Sequence, residues 1–459
     1  MLSFSNGTKL VKKLTEMATG PDTWGDFLSE NRAVEFIWLR FMGYSANTFT
    51  QIIPAKKFQD MLQDDQLLSA PLAVLYWTAQ GRSVKDVFGP FYLKPDLDTA
   101  YIETGSGGTR AILATDFVDK VQDPLPLCPR SNLRRLCHVI SDIAGFSALV
   151  GFEVEVIFMR PVTGDSTDRE YEMINKDHSW GSMSADDREY LKMIECIVRE
   201  LSAVGLFVDN VHAECAPGQW EFVLPPADPV QAVDDLVKAR HSITCVAESF
   251  GLRATLSPRP HTGKSPTGSH VHMSLNPVTQ ATQPLSDAFF AGVIAHLPSI
   301  MAFCMPQVAS YERVAAGCRA CGVYATWGWY NKETPLRRMR DNRFEIRVMD
   351  GLANPYLALG SILAAGILGI QTKASLGTGV ANGKDPAKLS ADEREATGAH
   401  RILPASLEES LVALECDQEL IDLLGEQLVR VYLMVKRREA DDFKAMDPLE
   451  QKRWLISKF

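Results

Sequence analysis

The sequence predicts an α+β protein of two unequal domains, a small one at the N-terminal side and a larger one after it. Three observations carry this reading. At 459 residues, 46% hydrophobic and 23% charged, the chain has the composition of a globular protein and the length for one large core and one smaller one. Prolines at 124, 126 and 129 punctuate a linker. On both sides of it, short runs alternating polar with apolar residues, the mark of half-buried strands, are interleaved with stretches of helical periodicity.

The elements follow in order. Residues 1–30 read as polar helix, its first segment closed by Gly20-Pro21. Val34, Phe36 and Trp38 then alternate, a Gly43-Tyr44 turn follows, and 48–53 is a second strand ended by Pro54. A short helix over 56–63 and strands at 73–78, 99–102 and 110–115 complete a small domain over 24–115. The larger domain, 124–459, opens with an amphipathic helix over 130–147. Its strands fall at 151–159, 206–224, 268–275 and 343–349, separated by helices near 185–204, 228–250, 285–303 and 354–373. A glycine-rich loop over 374–386 and two helices between 405 and 445 follow.

Composition excludes several classes of function. The longest apolar runs, 289–305 and 356–370, fall short of the ~18–20 residues of a membrane span, so no membrane segment is expected. Lys9, Lys12 and Lys13 interrupt any secretory h-region, which makes a cytoplasmic chain the expectation. Nine scattered cysteines suit reduced thiols, and Cys318-x-x-Cys321 has no second pair at zinc spacing. A net charge of -10 argues against nucleic acid as a partner. Against that average, Arg337, Arg338, Arg340, Arg343 and Arg347 form a local basic cluster suited to an anion.

The chemistry sits on strands with one polar face. In the strand 343–348, Arg343, Glu345 and Arg347 share a face while Phe344, Ile346 and Val348 share the other. Glu153 and Glu155 do the same on 151–156, a pattern that a solvent-facing strand would also show. Glu214 and Glu221 bracket a Pro-Gly turn that can fold both inward, and His270, His272 and Ser274 line one face of a further strand. Five glutamates and a histidine on polar strand faces are the ligand types of hard divalent cations, Mg²⁺ or Mn²⁺. Carboxylate-held Mg²⁺ in turn handles nucleotide phosphates, with arginines neutralising the transferred group. Gly263-Lys264-Ser265 is no phosphate loop, because Pro258 stands where that motif needs glycine.

These residues resemble type I glutamine synthetase over nearly the whole chain. The matching motifs are E-x-E at 153–155, E-C-A-P-G-Q-W-E at 214–221, G-S-H-V-H-M-S at 268–274 and R-F-E-I-R-V-M-D-G-L-A-N-P-Y at 343–356, with L-P-A-S-L-E-E-S-L at 403–411. The resemblance implies a β-grasp N-terminal domain and a catalytic domain on a curved antiparallel sheet flanked by helices. It implies one metal at Glu155, Glu214 and Glu221 and a second at Glu153, His270 and Glu345. It places ATP at His272, Ser274, Arg337, Arg340 and Arg343. Substrate falls at Glu155, Glu214, Gly268, Arg313, Arg319 and Arg347, and Arg313, Arg337 and Arg347 take catalytic roles. The implied reaction is attack of a carboxylate on the γ-phosphate of ATP, then displacement of phosphate by an amine. A ring-shaped homo-oligomer is implied as well.

Departures from the family pattern bear on the nitrogen donor. Six positions after Arg313 the family carries an acidic flap residue, and here Arg319 stands there, a cation that would repel ammonium. Ser265-Pro266 replaces the Asn-Gly that helps hold glutamate, Lys332 follows Asn331 in place of arginine, and no D-G-S-S latch is found in the N-terminal domain. The expectation is therefore an ATP-dependent ligase joining a small-molecule amine to glutamate or a related carboxylate, with Trp327, Trp329 and Tyr330 as candidates for lining an amine pocket. Glutamine synthesis from ammonia, and a non-catalytic regulator or scaffold, are the alternatives.

Overall fold

The computed structural model describes residues 24–162, 170–175, 179–277 and 279–459, so the helical reading of 1–23 lies outside the described residues. After a short helix α1 (Trp24–Glu30) come β1 (Phe36–Met42), β2 (Thr48–Pro54), α2 (Ala55–Gln63), β3 (Leu68–Pro71), β4 (Pro90–Pro95), β5 (Tyr101–Ile102) and β6 (Arg110–Val118). They form one mixed sheet ordered β2-β1-β6-β4-β3, with β5 on β6. On β1 the alternation buries Ile37, Leu39 and Phe41 and leaves Trp38, Arg40 and Met42 half-exposed on the other face.

Two expectations fail in this sheet. The strand read at 73–78 is a 3-10 turn (Leu72–Tyr76), and β3 and β4 were not foreseen. Pro71, Pro90 and Pro95 read as breakers, yet each sits at a strand end, where a missing N–H breaks little of the ladder.

The larger part contains α3 (Pro129–Ala144), β7 (Ser147–Pro161), β8 (Tyr171–Met173), α4 (Ala185–Ala203), β9 (Asn210–Ala213), β10 (Gln219–Val223), α5 (Pro229–Ser249) and β11 (Arg253–Thr255). It continues with β12 (Val271–Asn276), α6 (Gln283–Ala295), α7 (Leu297–Cys304), β13 (Trp327–Trp329), β14 (Leu336–Arg340), β15 (Arg343–Ile346) and α8 (Pro355–Thr372). The second sheet runs β13-β14-β15-β12-β7-β10-β9, with β8 and β11 also on β7. Apart from the parallel β13–β14 pair its ladders are antiparallel. Helix α5 packs on β7, α4 packs on α5, and α3, α6 and α7 gather around α8.

Helix α8 starts where Asn354 accepts hydrogen bonds from the N–H groups of Tyr356 and Leu357, with Pro355 in the first turn. It is buried from Pro355 to Ile370, and a helix apolar on every side belongs inside a core. At 18 residues it passes the length and composition test for a membrane span, which the shorter sequence reading did not, and its burial inside the fold explains that apolarity. A methyl group on Gly369 would lie 2.1 Å from the carbonyl oxygen of Ala288 and 2.7 Å from Gly292 Cα, so α6 and α8 approach this closely because Gly369 and Gly292 carry no side chain.

The helix expected over 285–303 is two helices bent by 73°, because Pro298 opens α7 and cannot continue α6. The two helices expected between 405 and 445 are three, Leu407–Glu415, Gln418–Leu424 and Glu426–Lys444, separated by the capping Asp417 and by Gly425, with a further helix Pro448–Lys458 after them.

The two parts meet along a polar seam. Arg130, at the start of α3, reaches Asp96 (2.6 Å) and Asp116 (3.0 Å) of the small domain and Asp234 (2.7 Å) on α5. The Nδ2 of Asn354 donates to the Gly43 carbonyl at 2.9 Å. Glu439, fully buried, accepts from the N–H of Ala79, from Gln307 (3.1 Å) and from Lys436 (2.7 Å).

Candidate active site

β7 is the organising strand. Phe152, Val154 and Val156 point into the core at 1% exposure each, so the alternation turns Glu153 and Glu155 to the opposite face. On one side β10 sets Glu221 across from Glu155, and β9 sets His212 across from Glu221. On the other side β12 brings His272 next to Gly151, and β15 sets Glu345 across from His272. Registry between strands therefore collects residues separated by almost two hundred positions.

Side-chain distances close the group. His270 Nδ1 lies 2.9 Å from Glu153, 3.4 Å from Glu345 and 3.5 Å from Glu155. His272 Nε2 lies 2.7 Å from Glu153. The donors of Glu153, Glu155 and His270, and those of Glu153, His272 and Glu345, fall within 4.8 Å of one another, as do those of His212, Glu214 and Glu221. Glu155 also accepts from the Gly268 N–H (3.0 Å) and from Gln219 (2.6 Å). Gly268 has no room for a side chain, since a Cβ there would stand 2.5 Å from His270 Nε2.

The carboxylates are crowded. Burial pushes Glu155 up to about 7; His270 opposes the shift, while Glu221, Glu214 and Glu153 add to it. Burial and Glu221 raise Glu214. Burial would also raise Glu153, but hydrogen bonds from His270 and His272 outweigh it and hold that group well below the usual range. Similarly, Arg347 and His270 overcome burial at Glu345 and lower it. The hydrogen bond with Glu221 lifts His212 to about 9 against the opposing effect of burial. Carboxylates that repel one another, with three imidazoles among them, fit a divalent cation as a further counter-charge.

The arginines take different places. Arg337 donates to Glu345 at 2.8 Å, and Arg343 lies opposite Ser274 in register and 3.3 Å from His272 Nδ1. Arg340 and Arg343 are exposed, and among the described residues neither pairs with a carboxylate. The sequence strand over 343–348 ends at Ile346, and Arg347 turns inward beyond it. Its Nε donates to the Ala320 carbonyl (2.9 Å) and its Nη2 to that of Arg319 (2.8 Å), while Nη1 meets Glu345.

Arg313 does not join the open site. It is 0% exposed and donates to the carbonyls of Val348 (2.8 Å) and Arg347 (2.9 Å), holding the end of β15 from behind. With Arg347 equally committed, Arg319 is the exposed cation of that loop, in left-handed backbone at φ 55°. Trp327 is buried, and the Arg338 guanidinium covers the rings of Trp327 (5.3 Å) and Trp329 (4.9 Å), so those two indoles are already occupied.

His212 is the site residue that sequence reasoning missed. Its signal was the alternation Asn210-Val-His212-Ala-Glu214, which puts the imidazole and Glu214 on one face. Cys318 and Cys321, read as structural thiols, both point their sulfurs at the Arg313 carbonyl, at 3.2 and 3.5 Å.

Comparisons with known proteins give the family and the fold. The family described as glutamine synthetase, catalytic domain, matches residues 126–454. Protein fluG of Emericella nidulans is 37% identical over 460 residues, which take in 100% of this chain and 52% of that protein, so the chain spans about half the length of this relative. Gamma-glutamylpolyamine synthetase GlnA3 of Streptomyces coelicolor is 29% identical over 380 residues, 78% of this chain and 79% of that one. Among solved structures, a GmaS/ADP complex shares the fold with a TM-score of 0.78 at 24% identity, over 95% of this chain and 99% of that one.

Proposed function

Because the chain belongs to the glutamine synthetase family, we propose that it is an ATP-dependent ligase that joins an organic amine to glutamate or a related carboxylate through an acyl phosphate. The observation that carries this reading is the convergence of Glu153, Glu155, Glu214, Glu221, His270 and Glu345 on one sheet face, flanked by the exposed Arg340 and Arg343.

In this proposal Glu214 and Glu221, joined by His212 and by Glu155 across from Glu221, would hold one Mg²⁺ or Mn²⁺, and Glu153, His270 and Glu345 a second, although by donor spacing Glu155 groups with Glu153 and His270, and Glu345 with Glu153 and His272. Such ions offset charge on the phosphates and on the attacking carboxylate. Arg337, Arg340 and Arg343 then face the polyphosphate of ATP, with His272 and Ser274 beside them on β12, and Arg337 stabilises the transferring phosphoryl group. Buried Glu345 keeps the half-buried Arg337 and the buried Arg347 in place. Arg347 orders the 319–320 carbonyls, which fixes the loop that carries Arg319 and leaves that guanidinium to meet the substrate carboxylate.

Arg319 counts against glutamine synthesis, because the loop lacks the anion that collecting ammonium calls for, and the organic amine is supported by a relative at 29% identity that is named for polyamine substrates. Assembly into a homo-oligomeric ring belongs to the same proposal, and light scattering tests it. For the reaction, phosphate release from ATP is measured with glutamate and a panel of amines, ammonium included. Turnover with at least one organic amine above that with ammonium is the expected result. Glutamine formation as the fastest reaction would make the chain a glutamine synthetase, and no amine-dependent turnover with any carboxylate would end the ligase reading.

A further inference from the structure

We propose that a cavity of about 430 Å³ between the small sheet and the back of β7 binds a small organic anion carrying two or more negative charges. It lies inside the chain and apart from the glutamate face. Arg40, Arg240, Arg253 and Lys458 line it together with His241, and Thr48 adds a hydroxyl. No aspartate or glutamate side chain is among its lining residues, although Phe459 also lines it, its main-chain oxygen accepting from the Leu256 N–H and from Thr255 Oγ1. The volume lies within the range of about 300–1,000 Å³ usual for small-molecule sites.

The cations there are under-used. Arg40 Nη2 donates to His241 Nε2 at 3.1 Å and Arg240 Nη2 to Ser269 Oγ at 2.9 Å, but the Nε of each is buried without a hydrogen-bond partner. Native structures rarely leave such donors unpaired, and both residues line the same cavity, although Arg40 also bonds Tyr101 and covers the Trp38 ring. Burial pushes the Arg240 guanidinium down to about 10, with Asp350 only partly opposing the shift. Arg253 is anchored by the carbonyls of Ile456 and Ser457 and lies 3.8 Å from Glu248, and among the described residues the Lys458 side chain has no hydrogen bond or ion pair, with Glu439 its more distant opposite charge. A carboxylate or phosphate group would satisfy both free Nε–H donors and add a charge partner for Lys458.

The position of the cavity gives its ligand a lever on the glutamate face. Val154 and Val156 form part of the wall, and the same strand carries Glu153 and Glu155 on its other side. Arg240 also holds Ser269, which stands between Gly268, a donor to Glu155, and His270. The anion is thus an effector of the site described above. The binding claim itself does not depend on what reaction that site performs.

Titration calorimetry without divalent cation tests the claim, using citrate and inorganic pyrophosphate as probes on the full chain and on Arg40→Gln, Lys458→Gln and Arg340→Gln. We expect 1:1 binding of at least one probe, weakened at least tenfold in Arg40→Gln and at least threefold in Lys458→Gln, and unchanged in Arg340→Gln. Citrate alone binding identifies a carboxylate ligand, and pyrophosphate alone a phosphorylated one. Because the Lys458 side chain makes no hydrogen bond among the described residues, its variant keeps the test valid if Arg40→Gln fails to fold. Absence of binding by both probes, or binding lost in Arg340→Gln and kept in Lys458→Gln, overturns the proposal.

Discussion

At the scale of single residues, the site depends on groups that chain separation hides and strand period reveals. Gly268 is the sharpest case. A methyl group there would stand 2.5 Å from His270 Nε2 and 2.9 Å from its Cδ2, so Gly268→Ala forces the imidazole off Glu153. Expected is a loss of Mn²⁺ affinity of roughly tenfold or more, read by electron paramagnetic resonance, with little change in the melting temperature. The period-two rule made Glu153, Glu155, His270, His272 and Glu345 legible, because it needs only the residue types and their alternation. Arg313 and Arg347 show where it stops. Their guanidinium groups end on carbonyls of Val348, Arg347, Ala320 and Arg319, and which carbonyls an arginine meets is decided by loop folding that no local pattern encodes.

At the scale of elements, long helices and long strands were legible and short or proline-bounded ones were not. The α6–α7 break is the instructive error, since apolar residues fill both segments and only Pro298 marks the 73° bend. The α6–α8 contact carries a prediction of its own. Gly369→Ala places a methyl group 2.1 Å from the Ala288 carbonyl and 2.7 Å from Gly292 Cα, both backbone atoms that cannot swing away. Overpacking of this kind costs about 1–3 kcal/mol, and here the rigid neighbours set the cost at the upper end. Urea unfolding should show the midpoint fall, and an unchanged midpoint would mean that the two helices separate more easily than their packing implies.

At the scale of the whole molecule, the seam between the small sheet and the larger part sets stability. Arg130, 5% exposed, is the shared counter-ion of Asp96, Asp116 and Asp234. Arg130→Met leaves three carboxylates facing one another with only Arg134 nearby, and losing one partner of a buried ion pair costs roughly 3–5 kcal/mol. Differential scanning calorimetry should show a large drop in melting temperature. The seam also makes stability depend on pH. Burial, with Arg40 and Arg110 beside the ring, pushes His241 down to about 3, although Glu103 approaches within 3.2 Å; Arg110 holds the other oxygen of that carboxylate, and Cys245 Sγ lies 3.6 Å from the ring. Unfolded, the group titrates near about 6.5, so as pH falls below that value the unfolded chain takes up a proton that the folded one refuses. Stability is unaffected above about pH 6.5 and falls below it by about 1.4 kcal/mol per pH unit from this group. In His241→Gln the urea midpoint should change less between about pH 6.5 and 5 than in the unaltered chain, and equal slopes would show that the ring is protonated in the fold.

The contacts of Ala79 with Glu439 and of Gly43 with Asn354 join residues 360 and 311 positions apart. During synthesis at about 5–20 residues per second, Gly43 and Ala79 are made roughly 15–70 s before these partners exist. For that interval the Gly43 carbonyl and the Ala79 N–H lack their partners, while Arg40 can already meet His241 on α5. The seam is thus supplied to the small sheet in the order of synthesis, the α5 side first and the contacts of Asn354 and Glu439 last.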